Sequence, residues 1–182
     1  MIELNILVWT LAITFAVLGW RRGWSKEVIS MAGIMLGLFG LFQFDNVIRG
    51  QLLLAFPNDQ RFYIQTILFL IIVGLAYDDR LGRQAGQRPD NRDPLQTRAL
   101  GALVGFANGY LIGGTIWYLL DINRLPNGQY PLAPYIVAPP PGTASASAIA
   151  NLPLYVLTNN GTNGDLLSLA VVALFIVVLA LI

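Results

Sequence analysis

Five runs of apolar residues divide the chain, and polar residues gather between the runs rather than alternating within them. The runs cover residues 2–20, 28–44, 62–77, 99–120 and 166–182. A helix crosses the hydrocarbon core with about 17–25 residues, so each run is near or within that length. Continuous apolar stretches differ from the short alternating segments of a membrane β-barrel. The pattern therefore predicts an all-α integral membrane protein with five transmembrane helices.

Composition narrows the chemistry that such a bundle can perform. Hydrophobic residues make up 55% of the chain and charged residues 12%, a balance outside that of soluble domains. The absence of His and Cys excludes imidazole and thiolate metal sites and Ser-His-Asp triads. The acidic residues lie at predicted helix ends or in loops, whereas an ion-coupled transporter or an intramembrane hydrolase needs ionisable groups at mid-membrane. We therefore expect a non-enzymatic protein with no metal and no cofactor. The net charge of +1 gives no reason to expect a nucleic-acid partner.

Positive charge is distributed unevenly between the predicted connections. Eight of the eleven Lys and Arg residues lie in the first and third connections: Arg21, Arg22, Lys26, Arg80, Arg83, Arg88, Arg92 and Arg98. Cytoplasmic loops of membrane proteins carry an excess of such residues. We therefore predict that the N-terminus lies outside and the C-terminus inside.

The other connections differ in character. Residues 47–56 are apolar enough to lie in the membrane interface or to extend the second helix. Residues 78–98 mix Arg with Asp, which predicts a solvated loop, with a dock for anionic lipid or a partner as the alternative. Residues 121–165 contain seven of the ten prolines but keep apolar side chains such as Tyr135 and Leu154. We expect this outer segment to lie along the bilayer surface or against another protein. Asn160 begins a glycosylation sequon that turn chemistry explains better.

The fourth run carries a stripe of small residues on one helix face. The stripe repeats every four positions: Gly101, Gly105, Gly109 and Gly113. A second helix can approach such a face closely in a membrane. The second run supplies a candidate facing surface: Gly33, Gly37 and Gly40. The partner helix belongs either to this chain or to another subunit. Asn108, beside the stripe, is expected to make an interhelical hydrogen bond.

The turn between the first two runs is the other concentrated signal. Gly23 favours a sharp reversal, and the Glu27 carboxylate suits the start of the second helix, where Arg21, Arg22 or Lys26 can pair with it. The motif residues are Gly19, Arg22, Gly23 and Glu27, followed by Arg98 before the glycine stripe. Together they resemble the CvpA family, the colicin V production membrane proteins, over about residues 1–120.

The resemblance implies a small multi-pass protein of the bacterial cytoplasmic membrane, linked to colicin V production and without an established catalytic activity. The chain then divides into a CvpA-like four-helix membrane domain (residues 1–120), a proline-rich extracytoplasmic loop (121–165) and a C-terminal helix (166–182). We expect an accessory or scaffold subunit that lies among membrane lipids and packs through glycine-lined helices against other integral membrane subunits. An energy-converting respiratory or photosynthetic complex is one candidate assembly, and a homo-oligomer is another. The alternatives are a small channel or transporter component, and a stand-alone envelope protein linked to colicin V production.

Overall fold

The computed structural model describes residues 3–78 and 93–181, and the regular structure in these ranges is helical. The α-helices are α1 (Leu4–Arg22), α2 (Trp24–Gln43), α3 (Asp45–Val47), α4 (Asn58–Ala76), α5 (Pro94–Ile122), α6 (Ala144–Ala148), α7 (Pro153–Leu157) and α8 (Asp165–Leu181). Four of the described helices, α1, α2, α4 and α5, are long and apolar enough to cross a membrane. α8 is apolar but shorter, with 17 residues. The predicted all-α class is confirmed.

Three helices, α2, α4 and α5, begin four or five residues before their apolar runs, because polar residues form part of their first turns. α5 starts at Pro94, where proline suits the first helical position. Asp93 caps this helix by accepting a hydrogen bond from the Leu95 N–H at 2.9 Å. Arg98, predicted to lie in a connection, is therefore part of α5, and Glu27 is part of α2. The rest of the mixed-charge connection, residues 79–92, lies outside the described residues.

The glycine stripe of α5 packs against α1 of the same chain. A side-chain carbon added at Gly109 would lie 2.6 Å from the Leu11 carbonyl oxygen and 2.7 Å from the Ala12 Cα. A carbon added at Gly105 would lie 3.1 Å from the Gly19 Cα. A carbon added at Gly101 would lie 2.9 Å from the Gly23 Cα, whereas one at Gly113 would lie 3.2 Å from the Leu11 side chain and 3.3 Å from the Val8 Cα, a looser contact. Since the neighbours are mostly backbone atoms, only glycine allows the two helices to lie this close.

The glycines of α2 do not form the surface that faces this stripe, so that expectation is corrected. A carbon added at Gly33 would lie 2.6 Å from the Ala76 Cβ, and one at Gly37 would lie 2.9 Å from the Ile72 Cγ2. Both neighbours belong to α4. A carbon at Gly40 would meet nothing within 4 Å. The backbone of α1 already covers the stripe, so α2 uses its two close-packed glycines to approach α4 instead.

The core continues from these contacts into the second half of the chain. One cluster of buried side chains joins α2, α4 and α5 to α7 and α8 through Ile34, Leu38, Phe69, Ile112, Leu154 and Leu167. A second cluster lies where α1 begins and α5 ends, and it includes Leu4, Trp117, Tyr130 and Leu152. We call this end of the bundle the cap end, and residues 123–164 the cap segment. The opposite end, with the α1–α2 turn, is the turn end.

The cap segment folds back along its own bundle, a contact that the sequence analysis did not predict. A side-chain carbon added at Gly114 would lie 2.9 Å from the Pro153 Cγ, so the proline ring occupies the space of the missing side chain. The Tyr110 hydroxyl donates to the Asn151 carbonyl oxygen at 2.8 Å. Tyr110 lies twelve residues before the end of α5, which is about 18 Å along the helix axis.

The apolar connection after α2 forms a short helical element. α3 runs directly into a π-helical turn, Ile48–Leu52. Arg61 of α4 satisfies the carbonyl groups that follow it: its Nε donates to Leu53 at 2.9 Å and to Phe56 at 2.8 Å, and its Nη2 donates to Leu54 at 2.8 Å. The carbonyls after this turn therefore have hydrogen-bond partners within the chain.

Candidate functional site: a buried ion pair where four helices meet

The α1–α2 turn consists of one residue outside the helices, and its geometry brings two charges together. Gly23 has a φ of 82°, a left-handed conformation that favours glycine. Its N–H donates to the Gly19 carbonyl oxygen at 2.9 Å, which closes α1. α2 begins at the next residue. Arg22 and Glu27, five positions apart, therefore face each other across the turn.

Glu27 is the centre of the site and has no solvent exposure. Its Oε1 accepts from Arg22 Nη1 at 3.1 Å. Its Oε2 accepts from the Tyr77 hydroxyl at 2.9 Å and from Asn108 Nδ2 at 2.9 Å. Asn108 Nδ2 also donates to the Glu27 backbone carbonyl at 3.1 Å. Both carboxylate oxygens are thus bound within the chain, which offsets the large cost of burying a charge.

Arg22 completes the arrangement from the side of α1. Its side chain is 18% exposed. Nη2 donates to the Tyr77 carbonyl oxygen at 3.3 Å, and the guanidinium carbon lies 4.6 Å from the centre of the Tyr77 ring. Ser30, one turn after Glu27, donates to the Ala76 carbonyl oxygen at 3.0 Å. The arginine and the serine therefore supply partners to carbonyl groups that the end of α4 would leave unpaired.

The cluster ties together the four long helices. α1 contributes Arg22, α2 contributes Glu27 and Ser30, and the end of α4 contributes Tyr77. Asn108, midway along α5, contributes the amide. Its Oδ1 is buried and has no hydrogen-bond partner within the described part of the chain. Such an arrangement fixes the relative positions of the helices. Separating α1 from α2 would break the ion pair, and moving α4 or α5 would break a hydrogen bond to the buried carboxylate.

The cluster combines residues that the sequence analysis had placed in two separate motifs. Arg22, Gly23 and Glu27 come from the turn motif, whereas Asn108 comes from the glycine stripe. Arg98 is exposed on α5 and does not contact the cluster. The sequence analysis missed Tyr77 and Ser30. Ser30 has a local signal, because it follows Glu27 by three residues on the same helix face.

The sequence analysis placed every acidic residue at a helix end or in a loop, and therefore expected no ionisable group inside the bundle. Glu27 corrects that expectation. It lies in the first turn of α2 but is enclosed by three other helices, so it is a buried ionisable group inside the bundle. The described residues include no group of three or more acidic side chains that could hold a metal ion. Glu27 is the candidate functional carboxylate, and its bound partners are an arginine, a tyrosine and an amide.

A second polar cluster fastens the cap segment to the end of α5. Asp121 accepts from Arg124, from the Tyr130 hydroxyl at 3.2 Å and from the Tyr155 hydroxyl at 2.8 Å. Trp117 Nε1 donates to the Tyr130 oxygen at 3.1 Å. Burial, with a smaller contribution from the Asp121 charge, raises the pKa of Tyr130 to about 12. Burial and the hydrogen bond to Asp121 also raise the pKa of Tyr155.

Comparison with known proteins identifies the family but supplies no close relative. A family model described as "Colicin V production protein" matches residues 4–140. No curated protein and no solved structure matches the chain. The match includes α1, α2, α4 and α5, and it extends about 20 residues beyond the predicted boundary at 120, into the cap segment. The buried pair Arg22–Glu27, its partners Tyr77 and Asn108, and the glycine stripe all lie within the matched range. The chain is therefore a membrane protein that belongs to the colicin V production protein family, as the turn motif and the glycine stripe indicated.

Proposed function

We propose that the chain is a non-enzymatic accessory or scaffold subunit of the bacterial cytoplasmic membrane. The main support is the burial of Glu27, which has no solvent exposure. Its two carboxylate oxygens accept hydrogen bonds from Arg22, Tyr77 and Asn108. A carboxylate held in this way stabilises a fixed helix arrangement, whereas a general acid or base must reach a substrate. The rigid unit then serves as a platform for neighbouring proteins.

The docking surface in this proposal is α8 rather than the glycine stripe, which α1 covers. α8 packs against α2, and Leu167 is the one buried residue among its described positions. Phe175, Ile176 and Leu179 are each about 60% exposed. One face of α8 packs on the core through Leu167, and the opposite face is exposed. Its outward apolar surface is available to a second membrane protein as well as to lipid.

Gentle solubilisation of native membranes followed by size separation tests the proposal. We expect the 19.9 kDa chain to migrate in a larger complex. Because the chain has no Cys, a single introduced cysteine can carry a photo-crosslinker. Phe175→Cys on α8 should crosslink to the same partner in every preparation, and Ile71→Cys, similarly exposed on α4, serves as the matched control. Migration as a lone chain would contradict the proposal and favour a stand-alone envelope protein.

A small channel or transporter component is the second candidate, and Glu27 is the observation that favours it. Ionisable residues inside membrane proteins often belong to ion or proton pathways. Proton flux into liposomes that contain the purified chain tests this function. Flux that is present with the natural sequence, and lost in Glu27→Gln that still elutes as a folded chain in size separation, would support it. Equal flux in empty liposomes and in those with the natural sequence would exclude it.

A further inference from the structure

A cavity of about 620 Å³ opens at the cap end, between the start of α1, the end of α5 and the cap segment. Its apolar wall includes Leu4, Trp117 and Val137. Leu4 and Trp117 are almost fully buried, so they form a closed floor. A volume of this size lies within the range of about 300–1,000 Å³ that small-molecule sites occupy. The cavity is separate from the Glu27 cluster, which lies toward the turn end.

The polar part of the cavity consists of an acceptor and a donor that are not used elsewhere. Glu3 lines the cavity as the N-cap residue of α1, but its carboxylate does not cap the helix. Within the part of the chain that the structure describes, neither this carboxylate nor the Ser145 hydroxyl has a hydrogen-bond or ion-pair partner. Thr143, the third polar residue, is already occupied, because its hydroxyl donates to the Pro140 carbonyl oxygen at 2.8 Å.

The charge of the lining selects among lipid headgroups. The described lining residues include one carboxylate and no Lys or Arg. A purely anionic headgroup would meet the Glu3 charge without a cation to compensate it. A headgroup with an ammonium beside its phosphate would instead donate to Glu3 and accept from Ser145. The apolar wall, where two long apolar helices end, is suited to an acyl chain.

We propose that this cavity binds one phosphatidylethanolamine molecule. The ammonium donates to the Glu3 carboxylate, the phosphate accepts from the Ser145 hydroxyl, and part of an acyl chain covers Leu4 and Val137. The site does not depend on the scaffold role, since it requires neither α8 nor a partner subunit. A lone chain in detergent can therefore test it.

Native mass spectrometry of the purified full-length chain measures the binding directly. The probes are phosphatidylethanolamine, phosphatidylglycerol and phosphatidylcholine with identical acyl chains, added in equal amounts. We expect one retained lipid per chain, with phosphatidylethanolamine preferred over both others. Phosphatidylcholine separates charge from hydrogen bonding, because its quaternary ammonium has no N–H to donate. Glu3→Gln should reduce the preference for phosphatidylethanolamine over phosphatidylglycerol by about two- to fivefold, the range of an exposed ion pair.

Substitutions that fill the cavity provide the decisive comparison. Val137→Trp should remove most of the bound lipid, while Val172→Trp, on the exposed face of α8, should leave it unchanged. If Val137→Trp does not fold, as judged by its elution in size separation, the smaller Val137→Phe takes its place. Lipid retention equal to that of the natural chain in the folded cavity-filling variant would overturn the proposal. Equal binding of phosphatidylethanolamine and phosphatidylglycerol to the natural chain would also overturn it.

Discussion

The contact between α1 and α5 allows a quantitative prediction for Gly109→Ala. The added methyl group would lie 2.6 Å from the Leu11 carbonyl oxygen and 2.7 Å from the Ala12 Cα, whereas ordinary contact begins at 3.4 Å. Subtraction gives a required displacement of 0.7–0.8 Å between two helix backbones. Backbone atoms inside a helix cannot yield individually. The helices must therefore separate along the contact.

The expected cost follows from this displacement. A gap of about 0.5–1 Å forfeits about a quarter to a half of the dispersion energy between facing atoms. Overpacking of a well-packed core costs about 1–3 kcal/mol. Alanine also favours the helix over glycine by about 1 kcal/mol, which would partly hide the cost. A matched control is therefore needed.

Gly74→Ala supplies that control, because Gly74 lies in α4 and an added carbon there meets nothing within 4 Å. Both variants gain the same helix propensity, so the difference between them isolates the steric effect. We expect Gly109→Ala to be less stable than Gly74→Ala by about 1–3 kcal/mol. Reversible unfolding in mixed detergent micelles, followed by circular dichroism, measures this difference. Equal stability of the two variants would refute the close approach of α1 and α5.

Three further predictions concern the polar clusters and the cap segment. Glu27→Gln should lower the free energy of unfolding by about 3–5 kcal/mol, because the Arg22 guanidinium loses the charge of its buried partner Glu27. Asp45→Asn in the half-exposed Asp45–Arg49 pair should cost less, about 1 kcal/mol. Similar losses for the two variants in micelle unfolding would contradict the burial of Glu27. Gly114→Ala should displace Pro153 and speed proteolysis of the cap segment. Limited digestion measures the rate against Gly74→Ala, where the added carbon meets nothing within 4 Å, and equal rates would contradict the contact between Pro153 and Gly114. The raised pKa of Tyr130 means that the folded chain holds this proton more tightly than the unfolded chain; its contribution to stability is therefore complete below pH 10 and is lost as the pH rises from about 10 to about 12. Thermal unfolding across this range should show a smaller loss for Tyr130→Phe, and an identical loss would contradict the assignment.

Local patterns predicted the long helices but placed the first residue of some of them too late in the sequence. The α5 run was read from Ala99, since Pro94 and Arg98 look like features of a loop. Proline at the first helical position lacks an N–H that would be unpaired in any case, so it starts a helix as readily as it ends one. The cap provided by Asp93 decides between the two readings in this chain.

The candidate site was less accessible to sequence reasoning, because its members come from four helices. Glu27 alone resembles an interfacial carboxylate at a helix start, and Asn108 alone resembles an ordinary interhelical donor. Tyr77 follows an apolar run and has no local feature that marks it. Their meeting depends on the close packing of α1 on α5 and of α2 on α4, which no single segment encodes.

The sequence by itself determined the helical class and the family, because continuous apolar runs and the spacing of glycine and charge are properties of short segments. The spacing of glycines every four residues also identified one face of α5 that another helix can approach closely. Only the tertiary structure decided that α1 occupies this face, that Glu27 is buried by Arg22, Tyr77 and Asn108, and that the cap segment folds back to Gly114. Burial is a property of neighbours that are distant in sequence, and in lipid these neighbours are chosen by shape and hydrogen bonding rather than by hydrophobicity.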